Sequence, residues 1–168
     1  MGRIEPLLEL AKLISEDDSF VSEVQLAENQ PFNYLGQFER ALQERGIHSA
    51  IPSLPWIAFV DGLARRDQLV ELDWKDDPQE LIATTMKLLK NHPEHEGLAE
   101  PIKKIEPFID EDIEEFLPQL NAALKEFDVQ LVWIDIDSDS YPLTILPSKN
   151  VDEAERLASE ADYGSLKL

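Results

Sequence analysis

Residues 128–147, DVQLVWIDIDSDSYPLTILP, restrict the fold of this chain more than any other segment. DVQLVWIDI is rich in the Val, Ile and Trp residues that are typical of strands, and YPLTILP is a second apolar segment. The Asp and Ser residues between them suit a turn, because their side chains hydrogen-bond to nearby backbone amides. We therefore expect a β-hairpin with strands near 129–136 and 142–147. Pro142 has no N–H to donate, which predicts an edge strand or a first strand position there.

Helical periodicity dominates the N-terminal part of the chain. A first amphipathic helix is predicted around Leu7–Ile14, and Asp17, Asp18 or Ser19 is a candidate cap for the next helix. A single helix is predicted from Pro31 to the Arg-Gly pair at 45 and 46. One face of that helix is predicted to carry four apolar residues: Phe32, Leu35, Phe38 and Leu42.

Further helices are marked by their start signals. Ser53 and Pro55 begin a helix in which Gly62 is the weak point, and the D-P-x-E sequence at 77–80 begins another that reaches about Lys90. Residues 91–100 are predicted to form a polar loop that contains His92 and His95. A short helix is predicted over 102–109 and a longer one over 113–127, where Pro118 predicts a kink or a restart.

The fold class follows from combining these segments. QLVELDW alternates in polarity and predicts a third strand near 69–74, while Asn150 with Glu153 begins a C-terminal helix and SLKL is a candidate short strand. The prediction is an α+β fold, rich in helix, with a small and mostly antiparallel sheet. At 168 residues and without a linker or repeat, the chain is expected to form a single globular domain over 1–168.

The net charge of the chain restricts the classes of molecule that it is expected to bind. The net charge is -20, and residues 91–168 contain 19 acidic but only six basic side chains. Phosphate-binding surfaces need the opposite sign, so we expect no direct nucleic-acid binding and no attachment to anionic membranes. The expected partner is a protein, in particular a basic one. A further hypothesis is a nucleic-acid-mimicking inhibitor or immunity-type protein that occupies a basic partner.

Composition also excludes several chemistries. The chain has no cysteine, which removes disulfides, thiolate nucleophiles and cysteine-bound metal centres. The nucleophile elbow, the phosphate-binding loop and the dinucleotide glycine pattern are all missing. The acidic residues at 111–115 have a structural explanation at a helix N-terminus. We therefore expect a non-enzymatic protein without a cofactor, and the charged N-terminal segment MGRIEPLLELAKLI fits a cytoplasmic location better than a secretory signal.

Three aspartates in the hairpin raise an alternative hypothesis. Asp135, Asp137 and Asp139 recur at every second residue, so on an extended strand they would share one face. Together with Asp73 from another strand, they could bind a divalent cation and support a metal-dependent enzyme. The calcium-loop pattern is not satisfied, because Ser140 and Leu146 stand where glycine and glutamate are required. The other interpretation is that residues 137–140 form the turn and that Asp135 is a solvated strand residue.

Aromatic residues next to these aspartates suggest a recognition surface. Trp74, Asp137, Asp139 and Tyr141 are the candidate partner-binding residues, because Trp and Tyr anchor partners while a carboxylate orients them. Core packing is the alternative interpretation for Trp74 and for Trp133. The two interpretations differ in the exposure that they predict for the indole rings.

Three segments resemble a family of bacterial domains of unknown function: LVELDWKDDPQELI at 69–82, VWIDIDSDSYPLTILP at 132–147 and AERLASEADYG at 154–164. The shared features are a D-W-K strand end and a D-S-D-x-Y hairpin that is followed by a C-terminal helix. The resemblance implies a small cytoplasmic bacterial domain without an assigned activity. The leading hypothesis depends on the acidic second half of the chain and on the hairpin tip, which together favour a non-catalytic, acidic protein-interaction module.

Overall fold

The computed structural model describes residues 2–91, 97, 102, 104–105 and 112–168. Nearly all of the predicted loop at 91–100, including His92 and His95, lies outside the described residues. Most of the short helix predicted over 102–109 lies outside them as well. These two predictions therefore stay predictions.

The described residues form a helical N-terminal part, which is followed by a C-terminal part that contains both helices and strands. The helices are α1 (Ile4–Ile14), α2 (Asp18–Asn29), α3 (Pro31–Gln37), α4 (Glu39–Glu44), α5 (Leu54–Arg65), α6 (Pro78–Leu89), α7 (Ile113–Lys125) and α8 (Ser148–Ala161). The strands are β1 (Val70–Asp73), β2 (Val129–Asp135), β3 (Ser140–Pro147) and β4 (Ser165–Lys167). The helix-rich α+β prediction is confirmed. Among the described residues, no helix combines the length and the apolar character that crossing a bilayer requires.

A four-stranded sheet has the order β1-β3-β2-β4. β2 and β3 pair antiparallel as the predicted hairpin, and β1 pairs antiparallel with β3. The three predicted strands and the short SLKL strand are therefore all present. The sequence placed their ends within two residues of the observed bounds, because alternation and turn residues mark strand ends locally.

The prediction that Pro142 lies at a first strand position is wrong, and the prediction of an edge holds only locally, since β3 pairs with β1 alone at Pro142. β3 is an inner strand, and Pro142 is its third residue, opposite Glu71 of β1. On the other side, the β2–β3 ladder runs from Val129↔Pro147 to Trp133↔Leu143 and stops before Pro142. An inner strand tolerates this proline because the ladder has ended where its missing N–H would be needed.

The chain separates into two compact units. Unit 1 comprises the residues up to Leu63 together with Glu153–Ser165, and unit 2 comprises Ala64–Asp152 and Leu166–Leu168. Each unit has its own buried apolar residues. The single-domain expectation for 1–168 stays a prediction.

Helix starts in both units use the predicted capping residues. The Asp17 carboxylate accepts a hydrogen bond from the Ser19 N–H at 2.9 Å, and the Asp77 carboxylate accepts from the N–H groups of Gln79 and Glu80. These bonds satisfy amides that have no partner within the helix. These two starts were predictable because the cap and the amides that it serves are neighbours in sequence. The prediction that Asn150 begins the C-terminal helix is wrong, since α8 begins at Ser148.

The single helix predicted from Pro31 is wrong in two respects. The segment forms two helices, α3 and α4, which are separated at Phe38, where φ is -117° and ψ is 28°. The buried side chains are Tyr34 and Leu42, while Phe32 is 78% exposed. The break at Phe38 changes the direction of the helical face, so residues with helical spacing across it do not share a side. Gly46 ends the segment at a positive φ of 74°, as predicted.

The core of unit 1 forms around α5, whose residues from Leu54 to Leu63 are all buried. Phe59 stacks on Trp56 with ring centroids 5.3 Å apart, and it also contacts Phe20. Gly62 is not a weak point. A Cβ at this position would lie 2.7 Å from a ring carbon of Phe20, so the glycine allows α2 and α5 to pack closely.

The core of unit 2 forms between α6, α7 and the sheet. Its buried members include Leu81, Phe116, Leu120, Leu131 and Ile145. Helix α7 continues through Pro118, and Asp112 caps its N-terminus by accepting the N–H of Glu115. The sheet presents Trp133 and Tyr141 as partly buried side chains next to this core.

Candidate functional site

The hairpin turn determines where its aspartates lie. β2 ends at Asp135 and β3 begins at Ser140, so Asp137 and Asp139 belong to the connection. The Asp135 carboxylate accepts the N–H of Asp137 at 2.8 Å, and Asp137 has a positive φ of 56°. The turn interpretation is therefore confirmed for residues 137–139, whereas Ser140 already belongs to β3. The expectation that all three aspartates share one strand face is wrong. A left-handed residue in the turn ends the strand alternation on which that expectation depended.

A hollow of about 360 Å³ lies beside this turn, entirely within unit 2. Its described lining residues are Trp74, Glu114, Trp133, Asp135, Asp137, Ser138, Asp139, Tyr141 and Lys167. All four candidate partner-binding residues are therefore brought together on one surface. We call this surface the hairpin hollow.

Lys167 of β4 enters the hairpin hollow and contacts two of its walls. Its Nζ lies 2.7 Å from Oδ2 of Asp135 and 4.4 Å from the centroid of the Trp133 ring. The interpretation of Asp135 as a solvated strand residue is therefore wrong, since its side chain is 24% exposed and ion-paired. Burial raises the pKa of Asp135, but the hydrogen bonds from Lys167 and from the Asp137 amide outweigh burial and hold this pKa below its ordinary value.

Tyr141 and Trp133 form an aromatic wall. Their rings meet edge to face, with centroids 4.9 Å apart. The Tyr141 hydroxyl donates to Oε1 of Glu114 on α7 at 3.1 Å. Burial, together with this hydrogen bond and the charge of Glu114, raises the pKa of Tyr141 to about 12. Tyr141 therefore stays neutral and keeps its donor at physiological pH.

Trp74 projects from the end of β1 and is 57% exposed, so the core-packing interpretation is wrong for this residue. Its backbone N–H donates to the carbonyl of Asp139 at 3.0 Å, which fixes the start of the β1–α6 loop against the hairpin. Its ring lies 5.4 Å from Nζ of Lys75. Trp133, by contrast, is partly buried next to the unit 2 core. Alternation predicted that Trp74 would lie on the buried side of β1, but the strand ends one residue earlier, at Asp73.

Asp73, the fourth candidate ligand, lies opposite Ser140 of β3, but its carboxylate is engaged within its own loop. The Asp73 carboxylate accepts the N–H of Lys75 at 3.0 Å, and Asp73 is absent from the described lining of the hollow. Within residues 2–91, 97, 102, 104–105 and 112–168, no group of three or more His, Asp or Glu side chains is arranged to hold a metal ion. The divalent-cation hypothesis for Asp73, Asp135, Asp137 and Asp139 thus stays a prediction, with no preformed ligand set in this part of the chain.

Sequence reasoning missed two residues of the hairpin hollow, Glu114 and Lys167. The sequence pattern explains Glu114 by its place at a helix N-terminus, and it indicates for Lys167 only a candidate strand. Both contacts join residues that are distant in sequence: 27 positions separate Tyr141 from Glu114. The signal that could have suggested Lys167 is a basic residue within the short SLKL strand of an otherwise acidic C-terminal half.

The arrangement is suited to binding a cation. Carboxylates and the faces of aromatic rings both attract ammonium and guanidinium groups.

A family model described as "Domain of unknown function (DUF6630)" matches residues 6–167. The chain belongs to this family. The match with DUF6630 includes every described lining residue of the hairpin hollow, and it confirms the resemblance to a domain of unknown function. No curated protein and no solved structure matches the chain.

Proposed function

We propose that this chain is a non-catalytic protein-interaction module and that its hairpin hollow binds a basic segment of a partner protein. The observation that carries this proposal is the exposure of Trp74 on a surface that also presents Asp137 and Asp139. An indole that is 57% exposed loses contact with water when a partner covers it, and such residues often dominate interface energies. We also propose a bacterial, cytoplasmic setting, which the resemblance and the lack of cysteine favour.

The charges around Trp74 favour a basic partner. Asp137 and Asp139 are exposed, and no ion pair joins either of them to a lysine or arginine in the described part of the chain. The whole chain carries a net charge of -20, which would attract a basic segment over a distance of about one Debye length. Association should therefore be fast and should weaken as salt is added.

The proposal predicts saturable binding of a fluorescently labelled decalysine peptide, measured by fluorescence anisotropy at low salt. Trp74→Ala should weaken this binding by at least about tenfold, because truncation removes the aromatic anchor. Asp137→Asn/Asp139→Asn should weaken it as well and should reduce its salt dependence, because two carboxylates no longer attract the peptide.

Two matched controls separate the hollow from general acidity. Asp152→Asn/Glu155→Gln also removes two negative charges, from exposed positions of α8 that are not part of the hollow. Phe32→Ala removes an exposed aromatic ring from unit 1. Both controls should bind decalysine nearly as the parent protein does. Equal weakening by the hollow and control charge variants would contradict the proposal, since it would indicate attraction by dispersed surface charge.

A further inference from the structure

The hairpin hollow already contains one ammonium group from its own chain. Among the described lining residues, Lys167 is the only cation, whereas Glu114, Asp135, Asp137 and Asp139 are all acidic. The ammonium of Lys167 bridges the carboxylate of Asp135 and the face of Trp133, at 2.7 Å and 4.4 Å. These are the two contacts by which a protein surface recognises a lysine side chain of another molecule.

The side chains that form the walls of the hollow are held in place by contacts within the chain. Tyr141 supports the Trp133 ring edge to face, and its own hydroxyl is held by Glu114, so the aromatic wall is prearranged. Asp135 is prearranged as well, because its carboxylate also accepts the N–H of Asp137. A cation therefore meets side chains whose positions are set by the hairpin and by α7. Rigid recognition groups lose little conformational entropy on binding.

Lys167 is held loosely compared with these walls. Its side chain is 47% exposed, and it extends from β4, a strand of three residues. The ammonium of Lys167 is the exposed partner in both contacts, so water partly screens these contacts and another cation can replace the ammonium.

We infer that Lys167 is an internal stand-in for a lysine of the partner, and that the partner's ammonium displaces it from Asp135 and Trp133. This inference rests on the proposed function and adds the chemical group that is recognised. It also means that Lys167 competes with the partner and lowers the apparent affinity of the hollow.

The first test compares Lys167→Met with Lys149→Met in the decalysine assay. Both variants remove one positive charge from an exposed lysine, but Lys149 lies in the first turn of α8 and is not part of the described lining. We expect Lys167→Met to bind decalysine roughly threefold to tenfold more tightly than Lys149→Met, which corresponds to removing one weak internal competitor. Equal or weaker binding by Lys167→Met would overturn the inference.

The second test uses the unchanged chain and so does not depend on the folding of a variant. The ring current of Trp133 should shift the ε-methylene protons of Lys167 upfield in the NMR spectrum. Saturation with unlabelled decalysine should return them to the position of a solvated lysine. Lys167 signals that stay shifted while decalysine saturates the hollow would overturn the inference.

The two proposals fail in different ways. If neither the parent protein nor Lys167→Met binds decalysine saturably, the proposed function is wrong and the inference falls with it. If the parent binds decalysine with the expected dependence on Trp74, but Lys167 is not displaced, only the inference is wrong. Saturable binding by Lys167→Met together with weak binding by the parent supports both.

Discussion

Replacement of Asn121 by leucine is expected to lower the free energy of unfolding by about 2–5 kcal/mol. Asn121 is buried within α7, and its side chain makes two hydrogen bonds to the backbone of Leu131 in β2. The Asn121 Nδ2–H donates to the Leu131 carbonyl at 2.9 Å, and Oδ1 accepts the Leu131 N–H at 2.7 Å. Leucine has a similar volume but no polar atoms, so both backbone groups would remain buried without a partner.

Urea denaturation followed by circular dichroism would measure this loss. A control is Lys125→Leu, which introduces the same side chain at an exposed position in the last turn of α7 and should change stability little. A loss below about 1 kcal/mol for Asn121→Leu would contradict the assigned role of the amide.

The second large effect is expected in unit 1 for Arg45→Met, which should lower the free energy of unfolding by about 2–4 kcal/mol. The Arg45 Nε and Nη2 groups both donate to Oδ1 of Asp61, at 2.9 Å and 2.7 Å. The side chains of Arg45 and Asp61 are only 18% and 10% exposed. Removing the guanidinium leaves a buried carboxylate without its countercharge, and such a carboxylate is poorly solvated.

A double-variant comparison identifies the cause of this loss. Arg45→Met/Asp61→Leu should be more stable than Arg45→Met alone, because the uncompensated carboxylate has been removed. Arg40→Met is the matched control: the Arg40 side chain is 95% exposed and lies 3.7 Å from Glu44 in an i,i+4 pair, so its loss should have little effect. Thermal unfolding of the four proteins provides the measurement. If the double variant is less stable than Arg45→Met, the ion pair is not the reason for the effect.

Local features of the fold were predictable to within a few residues. The caps at Asp17 and Asp77, the glycine end at Gly46 and the hairpin from Val129 to Pro147 all depend on residues that are close in sequence. Hydrogen bonds between near neighbours and the two side-chain periodicities are encoded within short segments. Four candidate residues of the hairpin hollow were identified for the same reason, because Asp137, Asp139 and Tyr141 belong to one turn and Trp74 to a strand end.

The composition of the hollow depended on contacts between distant segments. Nothing local indicates that Lys167 reaches Asp135, that Tyr141 bonds to Glu114, or that Asn121 satisfies the backbone of β2. The inner position of β3 and the exposure of Trp74 also depended on strand order and strand length.

Amino-acid order alone thus established the α+β class, the helix starts at Asp17 and Asp77, the hairpin and the acidic character of this DUF6630 domain. Packing between remote segments established which strand lies inside the sheet, which indole remains exposed and which cation enters the hollow. The physical reason is that backbone caps and periodicity act over a few residues, whereas burial and ion pairing depend on which elements become neighbours once the chain has folded.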